Sequence, residues 1–382
     1  MAIHMTGTQR FFRAALIGLA LSAAALSSHA ADIVIGQVAP FTGTLAPTGK
    51  GVNLGIQAYF GRVNATGGIR GSKLKLVSRD DGYKVPETLK QTAELIDKEQ
   101  PVALVGLVGT GNVAAVLKEG LLEKAGIPLV GVRSGAMILR DPVPTHIFHT
   151  RASYAAEVNT IVRQMQSMGL KRIAVLYQDD PFGEDGLTAA KKALAESGMD
   201  LVAVGAYKKG TTEVGEAVKT IHAADPNGII MVSNTAASAA FAKGLREAGS
   251  FALMIAVSVT AGPQVAETIG HAAAHGLGIV QVVPKPESQA ITISRELSED
   301  LKRIGASEGP DHTILEGYLM AKVLVEGIRR AGEPTRARIL AALNSLGTYD
   351  AGGVTLRYSD ASHDGSEYTD ISILDRNGRL LR

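Results

Sequence analysis

Gly109-Thr110-Gly111-Asn112-Val113-Ala114 lies between an apolar run and an amphipathic one. Glycines at that spacing let a helix amino terminus receive a pyrophosphate, and Ala114 supplies the third small position. A dinucleotide site also needs an acid about 20 residues on, at the end of the next strand, to hold the ribose. Gly131-Val132-Arg133-Ser134 stands there instead, so no nucleotide cofactor is expected. Gly43 to Gly51 approaches a phosphate loop around Gly49-Lys50, but five residues separate its first two glycines where four are needed. Gly51 also replaces the magnesium-binding hydroxyl. His271 and His275 have the i, i+4 spacing of two zinc ligands, yet Ala272 takes the place of the general-base glutamate. They read as two exposed histidines on a helix. No serine sits in a Gly-x-Ser-x-Gly elbow, and the chain has no cysteine, hence no thiolate nucleophile, sulfur metal site or disulfide. Neither catalysis nor a metal is predicted.

What remains is a set of hydroxyl and glycine residues where strands run into helices. Thr110 precedes a helix expected from Asn112, so it can cap that helix, present its hydroxyl and free backbone N–H groups to an anion, or do both. Ser134-Gly135 offers the same chemistry from the neighbouring strand end. Phe182 reads either as a core aromatic or as a lid over an apolar part of a ligand.

The elements that must position these residues follow a parallel α/β grammar: short β-branched runs alternate with longer amphipathic ones, separated by Gly, Pro, Asn or Asp. Strands are expected over 33–38, 74–78, 102–108 and 127–132, with helices near 52–63, 86–96 and 112–125. After a helix over 154–168 a second run brings strands over 172–177, 201–207, 228–232 and 252–257, with helices over 183–197, 213–223 and 236–248. Each run opens on a strand followed by a Pro-Phe loop, Pro40-Phe41-Thr42-Gly43 and Pro181-Phe182-Gly183. That places two similar loops at the carboxyl ends of two first strands, where open α/β sheets bind ligands. Beyond a strand over 278–283, three helices over 291–304, 313–331 and 335–346 come without strands between them and must pack on an existing sheet. Segments 354–358 and 368–374 read as a β-hairpin around Ser359 to Gly365.

Arg10 and Arg13, the apolar run from Ala14 to Leu26 and the small residues Ser28 and Ala30 have the order of a secretory signal peptide over residues 1–30. The apolar run is well short of the roughly 20 residues that spanning a bilayer needs. Export predicts a chain of 382 − 30 = 352 residues, long enough for two domains. Removing Arg10 and Arg13 leaves 39 − 2 = 37 basic residues against 37 acids. A neutral chain lacks the basic footprint that nucleic acid or anionic membrane selects, so neither is an expected partner.

Taken in order and spacing, several segments resemble the type I periplasmic binding proteins of ABC importers, in the leucine/isoleucine/valine-binding branch. They are Asp32-Ile33-Val34-Ile35-Gly36 leading to Phe41-Thr42-Gly43, then Gly67-Gly68-Ile69-Arg70-Gly71-Ser72-Lys73-Leu74, Asp80-Asp81 with Pro86, Gly126-Ile127-Pro128-Leu129, and Ile173 to Tyr177 leading to Phe182-Gly183-Glu184. The resemblance implies two Rossmann-like lobes with parallel sheets joined by three hinge strands: residues 32–151 plus 281–348, and residues 152–280 plus 349–382. It implies a monomer without cofactor that captures a small polar ligand, an amino acid or related carboxylate, and delivers it to the permease subunits of an ABC importer. A periplasmic sensor that docks on a signalling protein shares every feature used so far, and a secreted nucleotide- or metal-dependent enzyme is the remaining alternative. By position, the family's ligand contacts fall on Thr48, Thr110, Ser134, Gly135, Phe182 and Asn234. The acid that receives the ammonium of an amino acid falls at about Ser258, which is uncharged. A buried ammonium without a carboxylate costs several kcal/mol. Either another acid substitutes, with Asp180 and Glu316 the ones to inspect, or the ligand has no ammonium; Arg133 and Tyr83 point to an extra carboxylate or an aromatic ring.

Overall fold

A computed structural model describes residues 31–381; the expected signal peptide falls outside the described residues. The first run gives β1 (Ile33–Ala39), α1 (Ala46–Ala65), β2 (Leu74–Asp80), α2 (Val85–Glu99), β3 (Ala103–Val108), α3 (Thr110–Lys118), α4 (Leu121–Ala125), β4 (Leu129–Arg133) and β5 (Ile147–Phe148). The second gives α5 (Tyr154–Ser167), β6 (Arg172–Asp179), α6 (Pro181–Glu196), β7 (Asp200–Lys208), α7 (Gly215–Ala223), β8 (Gly228–Val232), α8 (Thr235–Glu247), β9 (Leu253–Ala256), α9 (Gly262–Ile269), α10 (His271–Ala274) and β10 (Gly278–Gln281). The last part holds α11 (Thr292–Arg303), α12 (His312–Ala331), α13 (Arg336–Asn344), β11 (Gly347–Asp350), β12 (Thr355–Tyr358), β13 (Asp370–Leu374) and β14 (Leu380–Leu381).

Two large sheets result, one ordered β2-β1-β3-β4-β5 and one β7-β6-β8-β9-β10-β13-β14, beside a two-stranded one of β11 and β12. The first is parallel throughout; in the second, β6 to β10 are parallel and β13 and β14 are antiparallel additions. Every residue of β3 and of β8 is buried, as a parallel strand covered by helices on both faces must be. The two sheets are wound alike, so each reverses its strand order at the same place, between β1 and β3 and between β6 and β8.

Some elements differ from expectation. The helix expected over 112–125 breaks at Gly120, whose φ of 63° ends α3 and starts α4. Helix α10 ends at Ala274, so His271 and His275 do not share a helix. The expected hairpin is paired differently. Thr355–Tyr358 turns back on Gly347–Asp350, because Asp350 Oδ1 accepts from the N–H groups of Gly352 and Gly353 and these glycines supply positive φ. Asp370–Leu374 joins the second sheet. The β11–β12 hairpin, expected on the second lobe from residue 349, packs in the first lobe's core through Leu356 and Tyr358, whose ring meets Phe148 edge-on at 5.8 Å.

The three late helices cover the first sheet. Helix α12 crosses α1 with backbone nearly touching backbone: a Cβ on Gly55 would lie 2.0 Å from the Ile314 carbonyl oxygen, and one on Gly317 2.1 Å from that of Val52. Tyr59 and Tyr318 then meet edge-on, centroids 5.1 Å apart. Overpacking a filled contact costs about 1–3 kcal/mol, and no flexible side chain is present here to yield. We expect Gly317→Ala to destabilise the protein by about 3 kcal/mol in urea unfolding, and an unchanged midpoint would refute the crossing as described.

The chain passes between lobes near residues 149–153, 282–291 and 359–369. Two of these crossings are tied together: the His149 N–H donates to the His363 carbonyl at 2.9 Å and Gly365 N–H to that of His149 at 3.0 Å. Arg140 pairs with Asp364 and donates to the Arg151 carbonyl at 3.0 Å. His149 is fully buried, and its Nε2–H donates to the Leu139 carbonyl at 2.9 Å. Burial first, and then the Arg140 charge, hold its pKa well below 6.5. Below pH 6.5 the unfolded chain protonates this imidazole while the folded chain does not, so folding stability falls as pH falls, by about 1.4 kcal/mol per pH unit for one proton. Asp81, Asp180 and Asp311, raised mainly by burial, contribute the opposite slope at lower pH. The difference between wild type and His149→Gln isolates the histidine: between pH 7 and pH 5 wild type should lose stability more steeply, and parallel curves would remove His149 as the cause.

Candidate functional site

The four loops at the two reversal points face one another. Leu45 and Thr48 follow β1, Gly109 and Thr110 follow β3, Phe182 follows β6 and Asn234 follows β8, and together they enclose one cavity. Tyr83, Arg133, Tyr154 and Gln178 complete much of its wall. Its volume is about 20 Å³, room for roughly one water. Direct bonds close the lobes over it: Gln178 Nε2 donates to Tyr83 Oη at 3.3 Å, Lys209 Nζ to Asn112 Oδ1 at 3.0 Å, and the Met137 N–H to Asp185 Oδ1 at 2.7 Å.

Local sequence explains each wall. Gly109, at φ 98°, is the residue that caps α3; a Cβ there would come within 2.5 Å of the Tyr83 ring. Thr110 is therefore the first helical residue and makes no capping bond; its hydroxyl instead shares a 2.7 Å hydrogen bond with that of Ser134. On the opposite wall, Gln178 Oε1 accepts from Tyr207 Oη at 3.1 Å and from Asn234 Nδ2 at 3.0 Å, while Asn234 Oδ1 caps α8 through the Ala237 N–H. Phe182 packs on Tyr154 with centroids 5.1 Å apart. Burial pushes the Tyr83 phenol well above its ordinary value, so it stays neutral. Lys209 Nζ sits 4.1 Å from the centroid of that ring, a cation–π contact, and 3.8 Å from Asp180. Asp180 is occupied as the cap of α6, accepting from the N–H groups of Phe182 and Gly183.

Beside the cavity lies a buried set of charges. Arg133 contacts Glu316, whose other oxygen is 3.4 Å from Arg151. Arg151 pairs with Glu157 at 2.7 Å and also contacts the Ser258 hydroxyl. Glu157 accepts from the Ser258 N–H at 2.7 Å. Arg133 Nη2 donates to the Ser258 carbonyl and to Thr313 Oγ1, each at 3.3 Å. All four ionic residues are at most 3 % exposed. Ser258 and Thr313 line a second, larger cavity of about 360 Å³, with Gln281, Lys285 and Asp311.

The sequence matches the periplasmic binding protein family over residues 32–377. The chain belongs to that family. A substrate-binding periplasmic protein from Ralstonia solanacearum is 33 % identical, with a TM-score of 0.88 over 92 % of this chain and 99 % of that one. An extracellular ligand-binding receptor from Verminephrobacter eiseniae is 30 % identical, with a TM-score of 0.86 over 92 % of this chain and all of that one. Leu/Ile/Val-binding protein homolog 7 of Brucella suis is 25 % identical over 95 % of both chains.

Within this periplasmic binding protein fold, the structure gathers most of the residues singled out from sequence. Thr48, Tyr83, Thr110, Phe182 and Asn234 line the inner cavity. Ser134 stands one hydrogen bond behind Thr110. Gly135 does not reach the inner cavity; it is packed under Tyr154, where a Cβ would lie 2.6 Å from the backbone nitrogen. Ser258 lines the neighbouring cavity and belongs to the charge cluster. Glu316 and Asp180, the acids held out as substitutes for the one absent at Ser258, are both engaged with the protein itself. Tyr154 and Gln178 were missed. Gln178 had a readable signal, being a buried polar residue that follows the apolar run Ile173 to Tyr177 in its strand.

Removing one partner from a buried charge set costs about 3–5 kcal/mol, whereas replacing a pair by apolar groups of similar size is near neutral. Glu316→Leu should therefore cost about 3–5 kcal/mol, and adding Arg133→Met should recover most of it, since Arg151 keeps Glu157. Denaturant unfolding of both variants measures this, and additive losses would contradict the coupling.

Proposed function

We propose that this protein is the periplasmic solute-binding component of an ABC importer, exported by its amino-terminal segment, that takes up a small polar solute between its lobes and presents the closed form to a membrane permease. One observation carries the reading: two sheets wound alike direct their reversal-point loops into a single cavity lined by hydroxyl, amide and aromatic groups. In open α/β sheets this is where ligands bind. The wall holds no arrangement of nucleophile, base and orienting acid, and among the described residues no group of His, Cys, Asp and Glu could hold a metal. What it offers is binding by fixed dipoles, with Phe182 and Tyr154 against an apolar part of the solute. Membership of the family and the name of the Brucella relative support an amino acid or related carboxylate as the solute class.

The cavity as it stands admits about one water, so a solute has to enter an opened cleft and be enclosed by closure. A thermal-shift screen of amino acids, 2-oxo acids, aromatic acids and dicarboxylates should identify a solute that raises Tm. With that solute, the radius of gyration from X-ray scattering should fall. Thr110→Val, which removes a hydroxyl and leaves Ser134 without its partner, should weaken the binding roughly tenfold or more. Scattering curves that superimpose with and without a tightly bound solute would refute capture by closure.

A further inference from the structure

Resting on that reading, we propose that the solute carries a carboxylate and no ammonium group, and that Arg133 is its counter-ion and the residue that sets this specificity. The wall of the inner cavity includes Arg133 and contains no acid. The carboxylates around it are outside the wall: Glu316 is answered by Arg133 and Arg151, Glu157 by Arg151 and Ser258, and Asp311, which lines the larger cavity with Glu287, accepts from the Ile314 N–H as the cap of α12. An ammonium group would meet neutral dipoles beside a guanidinium, which is unfavourable twice over, through lost hydration and through like charge. Arg133 in effect stands where the solute's own cation would otherwise sit. The four charges of the cluster sum to zero, so the preference comes from their order, with the guanidinium at the cavity and the acids beyond it.

Arg133 also has capacity to spare. A guanidinium carries five N–H donors, and Arg133 Nε has no hydrogen-bond partner although the residue is only 3 % exposed. Its Nη2 is held by the Ser258 carbonyl and Thr313 Oγ1 at 3.3 Å each, the long end of the hydrogen-bond range. Those two acceptors belong to the wall of the 360 Å³ cavity, so the guanidinium is the partition between the two spaces. A carboxylate is a better acceptor than either, being charged and able to take two parallel N–H donors. Exchange of those neutral acceptors for the solute's carboxylate joins the cavities. The acid head then lies between Arg133 and Thr110, and the body extends toward Gln281 and Thr313. The larger space holds a body the size of a ring or a branched chain.

Isothermal titration of the mature protein with matched pairs tests this: leucine against 4-methyl-2-oxopentanoate, phenylalanine against phenylpyruvate, and glutamate against 2-oxoglutarate. We expect at least one deaminated acid to bind at least tenfold more tightly than its amino acid. The paired variant Arg133→Met with Glu316→Leu, checked for an intact melting transition, should lose that affinity at least thirtyfold. Arg133→Lys, which keeps the charge and loses the fork, should retain part of it. Tighter binding of the amino acid in every pair, acid affinity unchanged in the paired variant, or closure by uncharged solutes alone would overturn the assignment and leave the solute-binding reading standing. Absence of any solute that closes the lobes would sink both.

Discussion

Two guanidinium and two carboxylate groups removed from water must find one another, and in this protein they come from four separate places: the end of β4, the first crossing between lobes, the first turn of α5 and the second turn of α12. The penalty for a buried, unanswered charge is several kcal/mol, comparable with a large part of a domain's net stability. That requirement fixes how near α12 must come to β4. The glycines follow from it. Gly131, at φ 69°, leaves the space that the Met320 side chain fills, since a Cβ there would lie 2.1 Å from Met320 Cγ. Gly55 and Gly317 let α1 and α12 cross with their backbones almost in contact. A first-lobe core of Ile56, Tyr59, Tyr318 and Leu319 then closes around an approach that larger residues would forbid.

The same cluster fixes the second lobe through Ser258 and Glu157, so the charge balance and the cleft are parts of one arrangement. Because both sheets reverse their order at equivalent places, the amino termini of α3 and α6 approach across the cleft, with Gly111 facing Pro181. Fixed dipoles line the space between: a hydroxyl pair on one side, an amide and phenol group on the other. Each is already hydrogen-bonded within the protein, which keeps the wall ordered before any solute arrives and lowers the entropy lost on binding.

The alternation of strands and helices was legible because a parallel sheet buried on both faces imposes continuous apolar runs, whereas the covering helices impose a 3.6-residue period. Thr110 and Phe182 were legible for a related reason: once the strands are placed, their carboxyl ends name the loops that can meet a ligand, whereas Thr48 and Asn234 came from the family resemblance. Ser258 and Glu316 were named as well, but their places in the charge cluster were not legible. Glu316 lies far along the chain from both Arg133 and Arg151, and an ion pair between distant segments leaves no period in either of them. The hairpin error has a different source. The segment 355–358 alternates equally well against either neighbour, and the decisive feature was Asp350-Ala351-Gly352-Gly353, where an acidic side chain bonds its own turn and two glycines take φ near 100°. The end of α3 was likewise written in Gly120, which reads as an interruption once a left-handed φ is required there.

Capture by closure, as proposed, depends on how the contacts between the lobes divide: the buried charges join them beside the cleft through Arg133, Arg151, Glu157 and Ser258, whereas over the inner cavity they meet through a few hydrogen bonds. A neutral hydrogen bond such as that from Gln178 to Tyr83 contributes about 0.5–1.5 kcal/mol net, and one that involves a charged group, such as those from Met137 to Asp185 and from Lys209 to Asn112, about 1.5–3 kcal/mol. Moving the balance from 1:99 to 99:1 requires a solute that binds the closed form about 10⁴-fold more tightly than the open one, or roughly 5.5 kcal/mol. Contacts confined to one lobe cannot supply this difference, since they exist equally in both forms. In the proposed capture, only groups on opposite walls, Thr110 and Arg133 against Phe182 and Asn234, would be brought to the solute together by closure, so the selectivity of such a switch would rest on the residues that face each other across the reversal points.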